Sequence, residues 1–222
     1  MFDKRTHKGE KGREYIPIET NCMYLGVKFE NSLQWKSHIE NLVKKAYRSL
    51  HNLMRILRGC NRQTKEKWYL CLVRPHLEYA ASVWDLYQDY LVKEIDGVQR
   101  KAARFVLGDF RTKSSVTAMI KTLGWETLQE RRDRARIVGM YRSYTTWGGI
   151  HERLHLTGNY ISKGDHPYKI RRDNYRTNWG KYSFIGRGVK LWNSLPGKVL
   201  DPFPRNAKTF KTKLISLFVS KP

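Results

Sequence analysis

The chain has 222 residues, of which 40% are apolar and 13% aromatic, so it holds enough core-forming residues for one or two folded domains and is not an intrinsically disordered tail. Its 43 Lys and Arg stand against 20 Asp and Glu, a formal net charge of +23, which points to a polyanionic partner, nucleic acid above an acidic membrane surface. Three scattered cysteines without a C-x-x-C spacing exclude a disulfide framework, the first residues lack the apolar stretch of a signal peptide, and no run approaches the roughly 18 apolar residues of a membrane span. The expected setting is intracellular, cytoplasm or nucleus, with no membrane involvement.

In chain order, Tyr15-Ile-Pro-Ile18 and Met23-Tyr-Leu-Gly-Val-Lys-Phe29 are β-prone, separated by the turn-like Glu19-Thr-Asn21. From Asn31 the period changes. Ile39, Leu42, Val43, Ala46, Tyr47, Leu50, Leu53, Met54 and Leu57 recur at steps of three and four, predicting an amphipathic helix that stops near Gly59. Its other face carries Lys36, Lys44, Lys45, Arg48 and Arg55. A second helical segment is expected from about Gln63 to Trp84, kinked or broken at Pro75, which lacks an amide donor. A third steps through Leu91, Ile95, Val98, Ala102 and Phe105 to Gly108 and exposes Arg100, Lys101 and Arg104. Ser114 or Ser115 caps a short fourth helix, and Trp125 opens a fifth that runs to about Tyr144. Within the fifth, Glu126, Glu130 and Asp133 are spaced to pair with the arginines of Arg131-Arg-Asp-Arg-Ala-Arg136, which gives that helix a structural role first.

Beyond Gly149 the periodicity fades. From residue 160 onward fourteen basic residues face three acidic ones, with two short helices expected near Phe184–Ser194 and Ala207–Val219. Bases and rings interleave at Tyr168, Arg171, Arg172, Tyr175, Arg176, Trp179 and Lys181. Aromatic faces stack on unpaired bases while arginines follow the phosphates. Tyr168 and Tyr175 are the expected contact rings, and Trp192 is expected to pack the tail onto the rest.

His151-Glu-Arg-Leu-His155 matches the H-E-x-x-H of zinc proteases. A third ligand is missing, because Ile161 stands where a metzincin has histidine and no glutamate follows Glu152. A polar turn is the preferred reading. Gly186-Arg-Gly188 lacks the Gly-Lys-Ser/Thr ending of a phosphate loop. No catalytic residue, metal site or cofactor is assigned to this chain.

Several blocks in order carry a resemblance: Met23-Tyr-Leu-Gly-Val with Leu33-Gln-Trp-Lys-Ser-His-Ile39, Leu72-Val-Arg-Pro-His-Leu-Glu-Tyr-Ala80, Val98-Gln-Arg-Lys-Ala-Ala-Arg-Phe105, Leu123-Gly-Trp-Glu-Thr-Leu-Gln-Glu-Arg-Arg132 and Leu191-Trp-Asn-Ser-Leu-Pro196. The chain resembles the region that follows the catalytic palm in reverse transcriptases of non-LTR (LINE-type, jockey-like) retrotransposons. That resemblance implies a mainly α fold after a short β-hairpin. Residues 1–32 would be the palm end with Tyr24, Leu25 and Gly26 as primer grip, 33–146 a helical thumb-like domain, and 147–222 a basic aromatic C-terminal region. It also implies an RNA or DNA partner (a primer–template duplex or the element RNA), with palm, fingers and Mg2+ supplied by the rest of a parent polymerase. The two-metal chemistry of such an enzyme needs clustered carboxylates. The nine aspartates here include no adjacent pair, so polymerase activity is not expected from this chain alone. Met1 reads as an internal methionine of a longer frame; a free-standing, non-enzymatic RNA- or DNA-binding protein is the alternative.

Overall fold

The computed structural model describes residues 7–8, 13–14, 19–84, 86–146 and 166–219. The H-E-x-x-H segment at 151–155 and the β-prone Tyr15–Ile18 lie outside them. The fold is mainly α, preceded by short antiparallel strand pairs: β1 (His7–Lys8) with β2 (Arg13–Glu14), and β3 (Asn21–Tyr24) with β4 (Val27–Glu30). The β3–β4 hairpin closes through Leu25 and Gly26, whose φ values of 47° and 78° are both in the left-handed region, as a tight two-residue hairpin turn demands. Gly26 adopts it freely; Leu25 does so against its Cβ. The Tyr79 hydroxyl, 54 residues away in sequence, donates 2.7 Å to the Leu25 carbonyl and holds the turn.

The long amphipathic helix is α1 (Lys36–Ile56), with Ile39, Leu42, Ala46, Leu50 and Leu53 buried. It packs on α4 (Asp89–Leu107), which ends at Gly108 in the left-handed conformation (φ 69°) expected of a helix stop. The segment expected from Gln63 to Trp84, kinked or broken at Pro75, is shorter and is interrupted just before that proline: α2 (Arg62–Trp68), a π-helical turn (Tyr69–Val73) and α3 (Arg74–Glu78). Pro75 sits in the first turn of α3, where its missing N–H costs little, and the wider turn upstream lets Arg74 N–H reach back to the Tyr69 carbonyl. Residues 79–84 then form turns, closed by the buried Trp84, whose Nε1–H donates 2.7 Å to the Tyr79 carbonyl.

Helix α5 (Val116–Thr122) is capped by the Ser115 hydroxyl, which accepts from Ala118 N–H. α6 runs Leu128–Thr146 and begins three residues later than expected. Thr127 and Glu130 form a capping box there: Thr127 Oγ1 accepts from Glu130 N–H and the Glu130 carboxylate accepts from Thr127 N–H. Trp125 stays outside the helix, stacked on Tyr69 at 4.5 Å and donating 2.7 Å to Glu66. Among the described residues the helices that follow are α7 (Asn178–Lys181), α8 (Phe184–Asn193), α9 (Gly197–Leu200) and α10 (Ala207–Val219).

Among the described residues the apolar core falls into two clusters that meet on α6. The first joins Val27, α1, α3, α4, α5 and Leu128. The second begins at Ile137 and gathers the C-terminal half of α6 with α8, α9 and α10 around Trp192 and Phe210. A layer of charge lies between them. Arg131 pairs with Glu78 and Glu126, Arg134 pairs with Glu126, and Arg132 and Arg136 are buried. Arg187 donates 2.7 Å to the Leu86 carbonyl, while Tyr87 and Tyr182 stack at 4.1 Å and 5°. The arginine-rich helix is therefore the joint of the molecule.

Gly186-Arg-Gly188, which looks like a fragment of a phosphate loop, serves packing. A methyl group on Gly188 would lie 2.5 Å from Met140 Sδ, and one on Gly186 would lie 2.5 Å from the Gly180 carbonyl oxygen. These glycines let α8 approach α6 and α7 more closely than a side chain permits.

Candidate nucleic-acid interface

Three contacts seat the β3–β4 hairpin against the start of α1. Lys28 N–H donates 3.2 Å to His38 Nδ1, the Ser37 hydroxyl donates to the Glu30 carboxylate, and Phe29 meets Trp35 edge-on at 5.2 Å, while Val27 is buried. His38 is buried beside Trp84; that burial, with the Lys45 charge adding to it, holds its pKa below the ordinary histidine value. The imidazole is thus a neutral strut between strand and helix.

The seating creates a cleft of about 310 Å³. Met23, Gly26 and Lys28 form one wall and Lys44, Lys45 and Arg48 the other, with His76 and Tyr79 of the α3 region beside them. At its mouth the hairpin presents Met23, Tyr24 and Leu25 to solvent, Leu25 at 73% exposure. The three α1 cations are exposed as well. A shallower depression of about 630 Å³ shares Lys44 and Arg48 and extends to Tyr47, His51 and Lys101 of α4. Lys101 Nζ donates 2.8 Å to His51 Nε2 and lies 5.6 Å from the centre of the Tyr47 ring. Arg55 follows at the helix end, since positions 44, 48, 51 and 55 fall on one stripe of a 3.6-residue helix.

The other cations of α4 part company with Lys101. Arg100 is exposed and its charge acts on Asp96 one turn earlier, whose pKa burial pushes up. Arg104 is committed to the fold: its guanidinium donates to the carbonyls of Asp109 (3.4 Å), Arg111 (2.7 Å) and Ser114 (3.3 Å), tying down the α4–α5 loop.

In the C-terminal region Arg171, Arg172, Arg176 and Lys181 are all exposed. Arg172 and Lys181 line a second cleft of about 430 Å³ together with Lys190. The two tyrosines expected to make contacts are half-buried and pack against the fold on one side. Tyr168 rests 4.6 Å from Phe203, and its carbonyl accepts a 2.7 Å bond from Trp192 Nε1–H. Tyr175 lies over Gly180 and Gly186. Trp192 is fully buried, as expected, whereas Trp179 is 57% exposed.

Lys28, His76 and Tyr79 of the cleft were not singled out in the sequence. Lys28 lies in the same β-prone run as the turn, but nothing local ties His76 or Tyr79 to the hairpin. Among the described residues no group of three or more His, Cys, Asp or Glu is placed to hold a metal ion, and no helix is long and apolar enough to cross a membrane. No protein-family model matches the chain, and no curated protein or solved structure matches it either.

Proposed function

We propose that this chain binds nucleic acid as the substrate-gripping C-terminal part of a non-LTR retrotransposon reverse transcriptase. It would hold a primer–template duplex or the element RNA and contribute no catalytic aspartates. The observation that carries the reading is the cleft in which Met23, Gly26 and Lys28 of the hairpin face Lys44, Lys45 and Arg48 of α1. An apolar turn opposite a wall of cations suits a strand whose phosphates lie on lysine and arginine while a sugar or base rests against the turn. Lys101 and Arg55 extend the cationic wall along α1, in keeping with a backbone tracked over several phosphates rather than a single anion. The carboxylate pair that would hold Mg2+ in such a polymerase is missing from this sequence, so no chemical step is assigned to its residues.

The test is duplex affinity as a function of salt. Log affinity falls with log salt by roughly 0.9 per phosphate neutralised. The variant Lys44→Ala/Lys45→Ala/Arg48→Ala is expected to bind more weakly, with a slope flatter by up to about 2.7. A control removing three exposed lysines elsewhere, Lys67, Lys113 and Lys121, is expected to change it far less. Equal slopes for the two variants would mean that the charge acts diffusely and the cleft is not the site.

A further inference from the structure

The start of α10 is tied to the end of α6, where the Tyr141 hydroxyl donates 2.6 Å to the Pro204 carbonyl. Further along, Lys211 and Ile215 of α10 share a cleft with residues 131–138 of α6, so the two helices run antiparallel. Two depressions follow this seam, one of about 1000 Å³ and one of about 420 Å³, and Arg142 lines both. Their α10 wall is Ala207 in the first and Lys211 and Ile215 in the second, at i, i+4 and i+8 of one helix face. Their α6 wall includes positions 131, 135, 138, 142 and 145, a single stripe of a 3.6-residue helix. The consecutive residues Ala81, Ser82 and Val83 complete the lining of both. Because the same helix faces line them, the depressions form one groove. From 131 to 145 that stripe of α6 rises about 21 Å, the length of a helix of about fourteen residues.

The groove joins an apolar strip to a cationic rim. Ala135, Val138, Gly139, Phe184 and Ala207 line it, and Val83 and Ile215 stand 49% and 46% exposed along it. Apolar side chains gathered in this way in water mark a contact surface. Arg142, Arg205 and Lys211 are exposed, and among the described residues none of the three has a carboxylate partner. Glu78 is the acidic residue among the described residues of the lining, and it is already held by Arg74 and Arg131. The rim therefore carries net positive charge that the fold does not neutralise.

We propose that the α6–α10 groove docks an acidic amphipathic helix of a partner protein. Apolar side chains of that helix at i, i+3 or i+4, and i+7 bury the strip, and carboxylates on its flanks meet Arg142, Arg205 and Lys211. A phosphate backbone satisfies the cations but leaves the apolar strip uncovered, since nucleic-acid interfaces are predominantly polar. A second copy of this chain is disfavoured by mutual repulsion at a net charge of +23. The groove shares no lining residue with the hairpin–α1 cleft, so its occupancy is independent of nucleic-acid binding there.

The experiment measures binding of the full chain, by fluorescence anisotropy at physiological salt, to a labelled peptide of alanine, leucine and glutamate. Its leucines fall at i, i+3 and i+7 along about fourteen residues, and a second peptide of the same composition in scrambled order is the control. The amphipathic peptide is expected to bind saturably and the scrambled one about ten-fold more weakly or worse. Val83→Gln/Ile215→Gln, which leaves the net charge unchanged, is expected to weaken the amphipathic peptide about five-fold or more. The same variant should hold its affinity for a blunt RNA duplex within about two-fold, because it alters no cation. Both side chains are half-exposed, so the melting temperature should barely move, which separates docking from folding. Arg142→Ala/Arg205→Ala/Lys211→Ala is expected to lose more peptide affinity than Lys67→Ala/Lys113→Ala/Lys121→Ala, which removes equal charge elsewhere. Absence of saturable binding overturns the proposal, as does equal binding of the scrambled peptide or equal loss in the two charge variants. If Val83→Gln/Ile215→Gln leaves the peptide affinity intact, or weakens the duplex as much as the peptide, the groove is not a helix-docking site. A chain that binds the peptide but no duplex counts against the proposed function and leaves the groove standing.

Discussion

Replacing Gly186 by alanine tests the joint between α7 and α8. The added methyl would sit 2.5 Å from the Gly180 carbonyl oxygen, 2.9 Å from that of Lys181 and 3.1 Å from Tyr175 Cε2. Ordinary contact begins near 3.4 Å, so the α7 backbone must retreat by close to 0.9 Å. Both carbonyls are backbone, so no side-chain rotation relieves the clash. Overpacking of this kind costs about 1–3 kcal/mol, offset by up to about 1 kcal/mol from alanine's smaller loss of backbone entropy. The middle of the resulting range is a destabilisation of about 1.5 kcal/mol, or roughly 3–6 °C in Tm for a chain of this size. The three atoms nearest a methyl on Gly188 all belong to the Met140 side chain, which can change rotamer, so the cost of Gly188→Ala is expected to be the smaller. Gly59→Ala meets nothing within 4 Å and should stay within about 0.5 kcal/mol of the parent. Urea and thermal unfolding of the three variants give the order directly. A Gly186→Ala protein as stable as Gly59→Ala would refute the close approach of α7 to α8.

Arg104→Ala should remove about 1–3 kcal/mol of stability by stranding the loop carbonyls it serves, yet leave nucleic-acid affinity within two-fold. Lys101→Ala should do the reverse, and a binding loss in the Arg104 variant equal to that of Lys101 would contradict the division. Tyr168→Ala is likewise expected to cost about 1–3 kcal/mol through lost ring packing without altering the affinity of the folded protein, as parallel melting and binding curves would show. The folded-state pKa of His38 lies below its unfolded value near 6.5. The unfolded chain therefore binds the proton first, so stability should decline as pH falls below about 6.5 and level off below the folded pKa. His38→Gln should flatten that decline in unfolding free energies measured from pH 7.5 to 5; an unaltered profile would assign the acid sensitivity elsewhere.

Much of the secondary structure was legible because it is written in local terms. The three- and four-residue spacing of Ile39 to Leu57 needs no distant partner to specify a helix, nor does Gly108 to end one. The hairpin and the short helices at 184–193 and 207–219 follow from equally local patterns. The basic stripe of α1 was visible for the same reason, since helical periodicity assigns a residue to a face. Periodicity does not say what that face meets. Arg100, Lys101 and Arg104 look alike along the chain, but only the fold gives Lys101 to His51 and commits Arg104 to the loop after α4. Tyr168, Tyr175 and Trp179 are equally ringed and equally flanked by cations, and it is Phe203, Gly180 and Gly186 that leave the two tyrosines half-buried and Trp179 exposed. The cleft itself depends on Tyr79 reaching Leu25 across 54 residues and on His38 bracing Lys28. A side chain's fate is set by contacts close in space and remote in sequence, so the sequence alone determined the elements and the charge they carry, while the tertiary structure decided which charges and rings remain for a partner.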